Sequence, residues 1–121
     1  MITIGVPRGH FSAPWEFFFS LYNATNHLVN KKIPSQLVTS EGPIIEENRN
    51  DIFRKTNSDY LIMIDDDMTF SKEAVYELYH TVVMDRLDIC SGLYFDGDGK
   101  ALIQKDDTFF QNYPKNSLFE I

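Results

Sequence analysis

The sequence predicts an α/β fold of the Rossmann-like kind, a mostly parallel sheet flanked by helices. Three observations predict it. Short apolar, β-branched runs alternate with longer segments of helical spacing, the pattern of strands joined by crossover helices. Most runs end in Pro, Gly or Asp, residues that favour turns and strand-end loops. The third run, Tyr60-Leu61-Ile62-Met63-Ile64, is the most hydrophobic short stretch in the chain and is bounded on both sides by aspartate.

The first strand is residues 2–6, closed by Pro7, Arg8 and Gly9. A helix follows, with Ser12 able to cap it, Pro14 suited to its first turn, and Trp15, Phe18, Phe19, Tyr22 and Leu28 marking the apolar face expected to pack in the core. Residues 33–39 form the second strand candidate, and Ser40, Glu41, Gly42 and Pro43 the polar connection after it. The second helix covers residues 44–55, directing Ile44, Ile45, Ile52 and Phe53 inward. Residues 60–64 lack polar alternation and so predict a central strand buried on both faces. Ser71 caps a third helix over residues 72–86, with Ala74, Val75, Leu78, Tyr79 and Val82 on one face. Residues 89–93 make a fourth strand, and the turn-forming residues 96–100 lead to an edge strand over 101–104. The last four residues have strand character and stop without a turn or polar tail.

At 121 residues the sequence predicts a single domain over 1–121, and 43% apolar with 14% aromatic residues is enough to build a core. Eleven basic against 18 acidic residues, a net charge of -7, repel a phosphate backbone and argue against nucleic acid as partner. An acidic protein that handles phosphorylated ligands needs a divalent cation to turn the local potential positive. The single cysteine, Cys90, has no internal disulfide partner and reads as a buried structural thiol. Without a signal-peptide pattern or an apolar run approaching the roughly 20 residues of a membrane span, the expected location is cytoplasmic.

The strongest chemical signal is Asp65-Asp66-Asp67, between a hydrophobic strand and a helix. Adjacent carboxylates repel one another by about 1 kcal/mol or more per close pair at intermediate dielectric, unless a cation or donors compensate. In an extended chain Asp65 and Asp67 point to one side and Asp66 to the other, so the first and third converge on one ligand. Two hard oxygen donors suit Mg²⁺ or Mn²⁺ with positions left for water and a diphosphate. The competing structural reading is an acidic loop that caps the following helix. His10 is the one histidine in a strand-end loop, the place where ligand contacts concentrate. Gly97 and Gly99 form no phosphate-binding fingerprint.

Asn48-Arg49-Asn50, followed after the rest of a helix by Asp59-Tyr60-Leu61-Ile62-Met63-Ile64-Asp65-Asp66-Asp67, resembles the Arg-Asn helix and DxD strand end of family 2 GT-A glycosyltransferases. The likeness extends back to the first strand with its closing Pro7, and to Val38-Thr39-Ser40-Glu41-Gly42 after the second. It implies a GT-A fold, a nucleotide-diphosphate sugar (UDP- or GDP-sugar) as donor, an unknown acceptor, and Mn²⁺ or Mg²⁺ as cofactor. It also implies that Pro7 and Arg8 flank the nucleobase, that Glu41 or Ser40 lies near the base or ribose, and that Arg49 lies near the base and phosphates. Asp65 would contact the ribose or the metal, and Asp67 would be the principal metal ligand bridging to the diphosphate. Asp66 joins the donor-binding residues without an assigned role. Thr39-Ser40-Glu41 stands where the family often has paired aspartates, which leaves the base open. The family's acceptor half, with its general base, lies beyond the strands found here, so the expectation is a donor-binding half whose catalytic residue is unknown.

Ile64-Asp65-Asp66-Asp67-Met68-Thr69 also resembles the motif of haloacid-dehalogenase-like phosphatases, in which Asp65 would attack phosphorus and Asp67 would act as acid and base beside Mg²⁺. In that family the motif ends the first strand, whereas here it ends the third. A non-catalytic nucleotide- or metal-binding module is the third possibility.

Overall fold

The computed structural model describes residues 1–9 and 13–92, and the backbone of residues 104–105 and 108–109. Two compact units result, Met1–Asp88 and Ile89–Ile121. The first holds β1 (Ile2–Arg8), α1 (Trp15–Asn30), β2 (Ser35–Glu41), α2 (Ile45–Lys55), β3 (Tyr60–Met63) and α3 (Ala74–Met84). The second holds β4 (Gln104–Lys105) and β5 (Thr108–Phe109), an antiparallel pair. Among the described residues no helix is long and apolar enough to cross a membrane.

The first unit is the expected α/β arrangement, a parallel sheet of order β2-β1-β3 with three helices. Its centre is β1, not β3. From Ile2 to Pro7 every residue of β1 is buried, whereas Tyr60 to Met63 are only half-buried. A continuous apolar run indicates that a strand avoids water, but its neighbours depend on pairing with segments far away in sequence. β3 pairs only with β1 among the described residues.

Alternation along β1 divides its side chains between the two faces of the sheet. Ile2, Ile4 and Val6 join Phe17, Leu21, Ala24 and Leu28 of α1 and Val75 of α3 in one buried cluster. Each Ile, Val, Leu or Phe side chain of this cluster contributes about 1.5–3 kcal/mol when fully buried. This cluster corrects the expected face of α1. Trp15, Phe18, Phe19 and Tyr22 are exposed, while Phe17, Leu21, Ala24 and Leu28, spaced four, three and four apart, face the sheet. Two apolar stripes ran along this helix, and the smaller-residue stripe is the one that fits against β1. Pro14 is the N-cap of α1 and offers no side-chain cap, and Ser12 lies outside the described residues.

On the other face of β1, Gly5 allows α2 to approach closely. A β-carbon at Gly5 would stand 2.6 Å from Cγ2 of Ile52, which is itself completely buried. Gly5→Ala should therefore cost about 1–3 kcal/mol by overpacking. Urea unfolding should show a lower midpoint with an unchanged slope. An unshifted midpoint would mean that α2 can lift from the sheet at no cost. Ile52 is the only buried apolar residue of α2; Ile44 and Phe53 are exposed, contrary to expectation, and Asn48 takes the second buried position.

Helix ends account for the shifted boundaries. Lys32 adopts φ of 60°, and the Ile33 and Lys32 amides donate to the Leu28 and Val29 carbonyls at 3.0 and 2.9 Å. This is a Schellman closure, with Ile33 packed back on the core, so β2 begins at Ser35 instead of at residue 33. Arg86 repeats the device at φ of 53°, with the Leu87 amide donating to Val82 at 3.0 Å, and α3 ends at Met84. Its N-cap is Glu73; Ser71 contributes a carbonyl to Ala74 rather than a side-chain cap.

No strand forms over residues 89–92, Ile89 is 88% exposed, and Leu93 lies outside the described residues. Strand propensity is realised only through a partner, and none is described for this run. Cys90, within it, is half-buried instead of fully buried. The expected turn over 96–100, most of the edge strand over 101–104 and the final four residues also lie outside the description, though Gln104 belongs to β4.

Candidate functional site

The chain leaves β1 through α1 to reach β2 on one side, then returns through α2 to place β3 on the other. Such a reversal opens a crevice at the carboxyl ends of the two diverging strands. An open cleft of about 210 Å³ lies there, lined by Pro7 and Gly9 from the end of β1, Ile45 and Arg49 from α2, and Asp65, Asp66 and Asp67 after β3. Five of the residues singled out in the sequence thus meet in one place: Pro7, Arg49, Asp65, Asp66 and Asp67.

The carboxylate triplet is not extended. The Ile64 amide still donates to the Gly5 carbonyl at 2.9 Å, but the Met68 amide then donates to the Asp65 carbonyl at 3.3 Å and closes a turn with Asp66 and Asp67 at its centre. Strict alternation of the three side chains therefore does not hold. Asp65 is half-buried and pairs with Arg49, Nη2 to Oδ1 at 3.3 Å. Asp66 is 9% exposed, and its Oδ2 is buried without a hydrogen-bond partner among the described residues. Asp67 is exposed. Burying a carboxylate oxygen without a donor costs roughly 1–3 kcal/mol or more.

Three carboxylates and one guanidinium give the cleft a negative charge that a divalent cation would offset. Among the described residues no group of three or more His, Cys, Asp or Glu side chains is arranged to hold a metal ion. A cation at this place would be held by one or two carboxylates, with its remaining positions filled by water and by a ligand's own oxygens, not by a cage built wholly from protein. The unpartnered oxygen of Asp66 supports the same fit.

Arg8 and Glu41 do not line the cleft. They are the last register pair of β1 and β2, and their side chains form an ion pair, Nη1 to Oε1 at 3.0 Å. Glu41 remains about half exposed beside the largely buried Arg8. Ser40 faces α2, its hydroxyl donating toward Asn48 Oδ1 at 3.5 Å. The Lys55 ammonium, and after it the Ser40 hydroxyl, hold the Asp51 carboxyl of α2 below its ordinary range by hydrogen bonding to its charged form. His10 lies outside the described residues.

Sequence reasoning gave Asn48 no role of its own, although it stands in the Asn48-Arg49-Asn50 stretch. Asn48 is 3% exposed; its Nδ2 donates to the Gly42 carbonyl at 2.9 Å and the Arg8 carbonyl at 3.2 Å. The signal was available. Asn48 stands four residues before Ile52, on the buried face, and a polar residue there requires partners.

The phosphatase alternative gains nothing from this arrangement, since the motif follows β3 and not the first strand. No curated protein and no solved structure gives a significant match to the chain. A family model does match, over residues 37–120, more than half of the chain; its description is glycosyl transferase family 2. The match takes in Glu41, Arg49 and the aspartate triplet, and begins after Pro7 and Arg8.

Proposed function

As the chain belongs to glycosyl transferase family 2, we propose that its cleft binds the diphosphate of a nucleotide-diphosphate sugar, through Mn²⁺ or Mg²⁺ held by Asp65 and Asp67, for transfer of the sugar to an acceptor. The observation that carries this reading is the convergence of all three aspartates and Arg49 on one cleft at the strand reversal. Asp67, exposed in the turn, offers its carboxylate to the cation, and Asp65 offers the second oxygen. Arg49, already turned toward Asp65, supplies a guanidinium to a phosphate oxygen. A bound divalent cation would stabilise the charge that builds on the departing diphosphate. Pro7 and Gly9 wall the cleft on the β1 side, and Arg8 with Glu41 lies toward β2, where the nucleoside extends.

Thermal unfolding tests the reading directly. UDP or GDP at about 100 times its Kd should stabilise the protein by about 2.7 kcal/mol. The shift should appear with Mn²⁺ or Mg²⁺ and vanish with EDTA. Equal stabilisation in EDTA would remove the cation from the site, and no response to any nucleotide with metal would sink the donor reading. Release of phosphate from an aryl phosphate, lost in Asp65→Asn, would favour the phosphatase chemistry instead.

A further inference from the structure

We infer that Asn48 is a positioning residue for the nucleoside half of the donor, an inference that rests on the reading of the cleft given above. Its one amide group bridges the two backbone segments that carry Arg8 and Glu41. The Arg8 carbonyl accepts from both the Gly42 amide, at 3.1 Å, and Asn48 Nδ2, at 3.2 Å. The Gly42 carbonyl accepts from the same Nδ2 at 2.9 Å. Pairing of β1 with β2 ends at Arg8 and Glu41, so beyond this point the Gly42 amide and Asn48 hold the two chains together.

The placement ties two parts of the site to one helix. Gly9, which lines the cleft, follows Arg8, and Arg49, which also lines it, follows Asn48. Gly42 leaves room for the contact: a β-carbon there would stand 3.2 Å from Asn48 Oδ1, on backbone of φ +157°. Asp65 and Asp67, by contrast, follow β3, and Asn48 makes no hydrogen bond to them or to the turn that carries them. Loss of the Asn48 amide should therefore disturb the β1 and β2 ends most, while Arg49, the next residue of α2, stays held to the carboxylates by its own pair with Asp65 at 3.3 Å.

Two probes separate these parts. Inorganic diphosphate with Mn²⁺ reads the carboxylate cleft, while UDP and GDP with Mn²⁺ read the cleft together with the β1 and β2 ends. In Asn48→Ala, affinity for the better nucleoside diphosphate should fall roughly tenfold, equivalent to about 1.4 kcal/mol, while affinity for inorganic diphosphate stays within about twofold by the same conversion. Gly42→Ala, which presses on Asn48 from the loop, should reproduce the same split and serves if Asn48→Ala does not fold. Equal losses for both probes would indicate a general structural role and overturn the inference. So would unchanged affinity for both in a folded variant. Wild-type protein that binds neither probe would instead refute the donor reading on which the inference stands.

Discussion

Asp67→Ala should abolish the metal-dependent stabilisation by UDP or GDP while leaving the ligand-free protein as stable as before, or slightly more so. Asp67 is exposed in the turn after β3 and makes no hydrogen bond or ion pair among the described residues, so its removal breaks no contact of the fold. Removal also relieves repulsion from its two neighbours, worth about 1 kcal/mol for a close pair at intermediate dielectric. Ligand at about 100 times its Kd contributes about 2.7 kcal/mol to the wild type, and that contribution should disappear from the variant. For a domain of this size the difference should amount to several degrees in melting temperature, on the order of 3–6 °C per kcal/mol. The two effects have opposite signs, which distinguishes loss of a cation ligand from simple damage. A variant that kept its full response would leave Asp65 as the cation's carboxylate and exclude Asp67.

Phe17→Ala should be among the most destabilising substitutions in the first unit, at about 3–5 kcal/mol, because it removes a large side chain from a site that cannot collapse around it. Phe17 is 1% exposed, is surrounded by the β1 and α1 core, and meets the Phe18 ring edge-on at a centroid distance of 5.6 Å. Trp15→Ala, two residues earlier, should change stability by no more than about 0.5 kcal/mol, the usual range for surface positions. Trp15 is 74% exposed, and its size contributes nothing that burial would reward. Urea unfolding of both variants measures the difference. Comparable costs for the two would return the larger aromatic stripe to the core and contradict the packing of α1.

Much of the site was legible because its signals are local. An aspartate triplet directly after a strand, and Arg49 on the preceding helix, can be read along the chain without knowing the sheet order. The Arg8–Glu41 pair was legible only as two separate candidates. Their meeting depends on a parallel register that joins residues 33 apart. Asn48 was harder still, since its value lies in two carbonyls, one of them 40 residues away.

Taken alone, the sequence determined the α/β class, the alternation of strands and helices in the first unit, and the carboxylate triplet and Arg49 on which the proposed donor site rests. Periodicity and turn chemistry act over a few residues, and those properties need no more. Tertiary structure alone decided that β1 and not β3 is the central strand, and that Phe17 and not Trp15 faces it. It likewise decided that the aspartates follow a turn instead of an extended path. Each of these depends on which distant segment comes to lie alongside, and burial is a property of that assembly, not of the run of residues that seeks it.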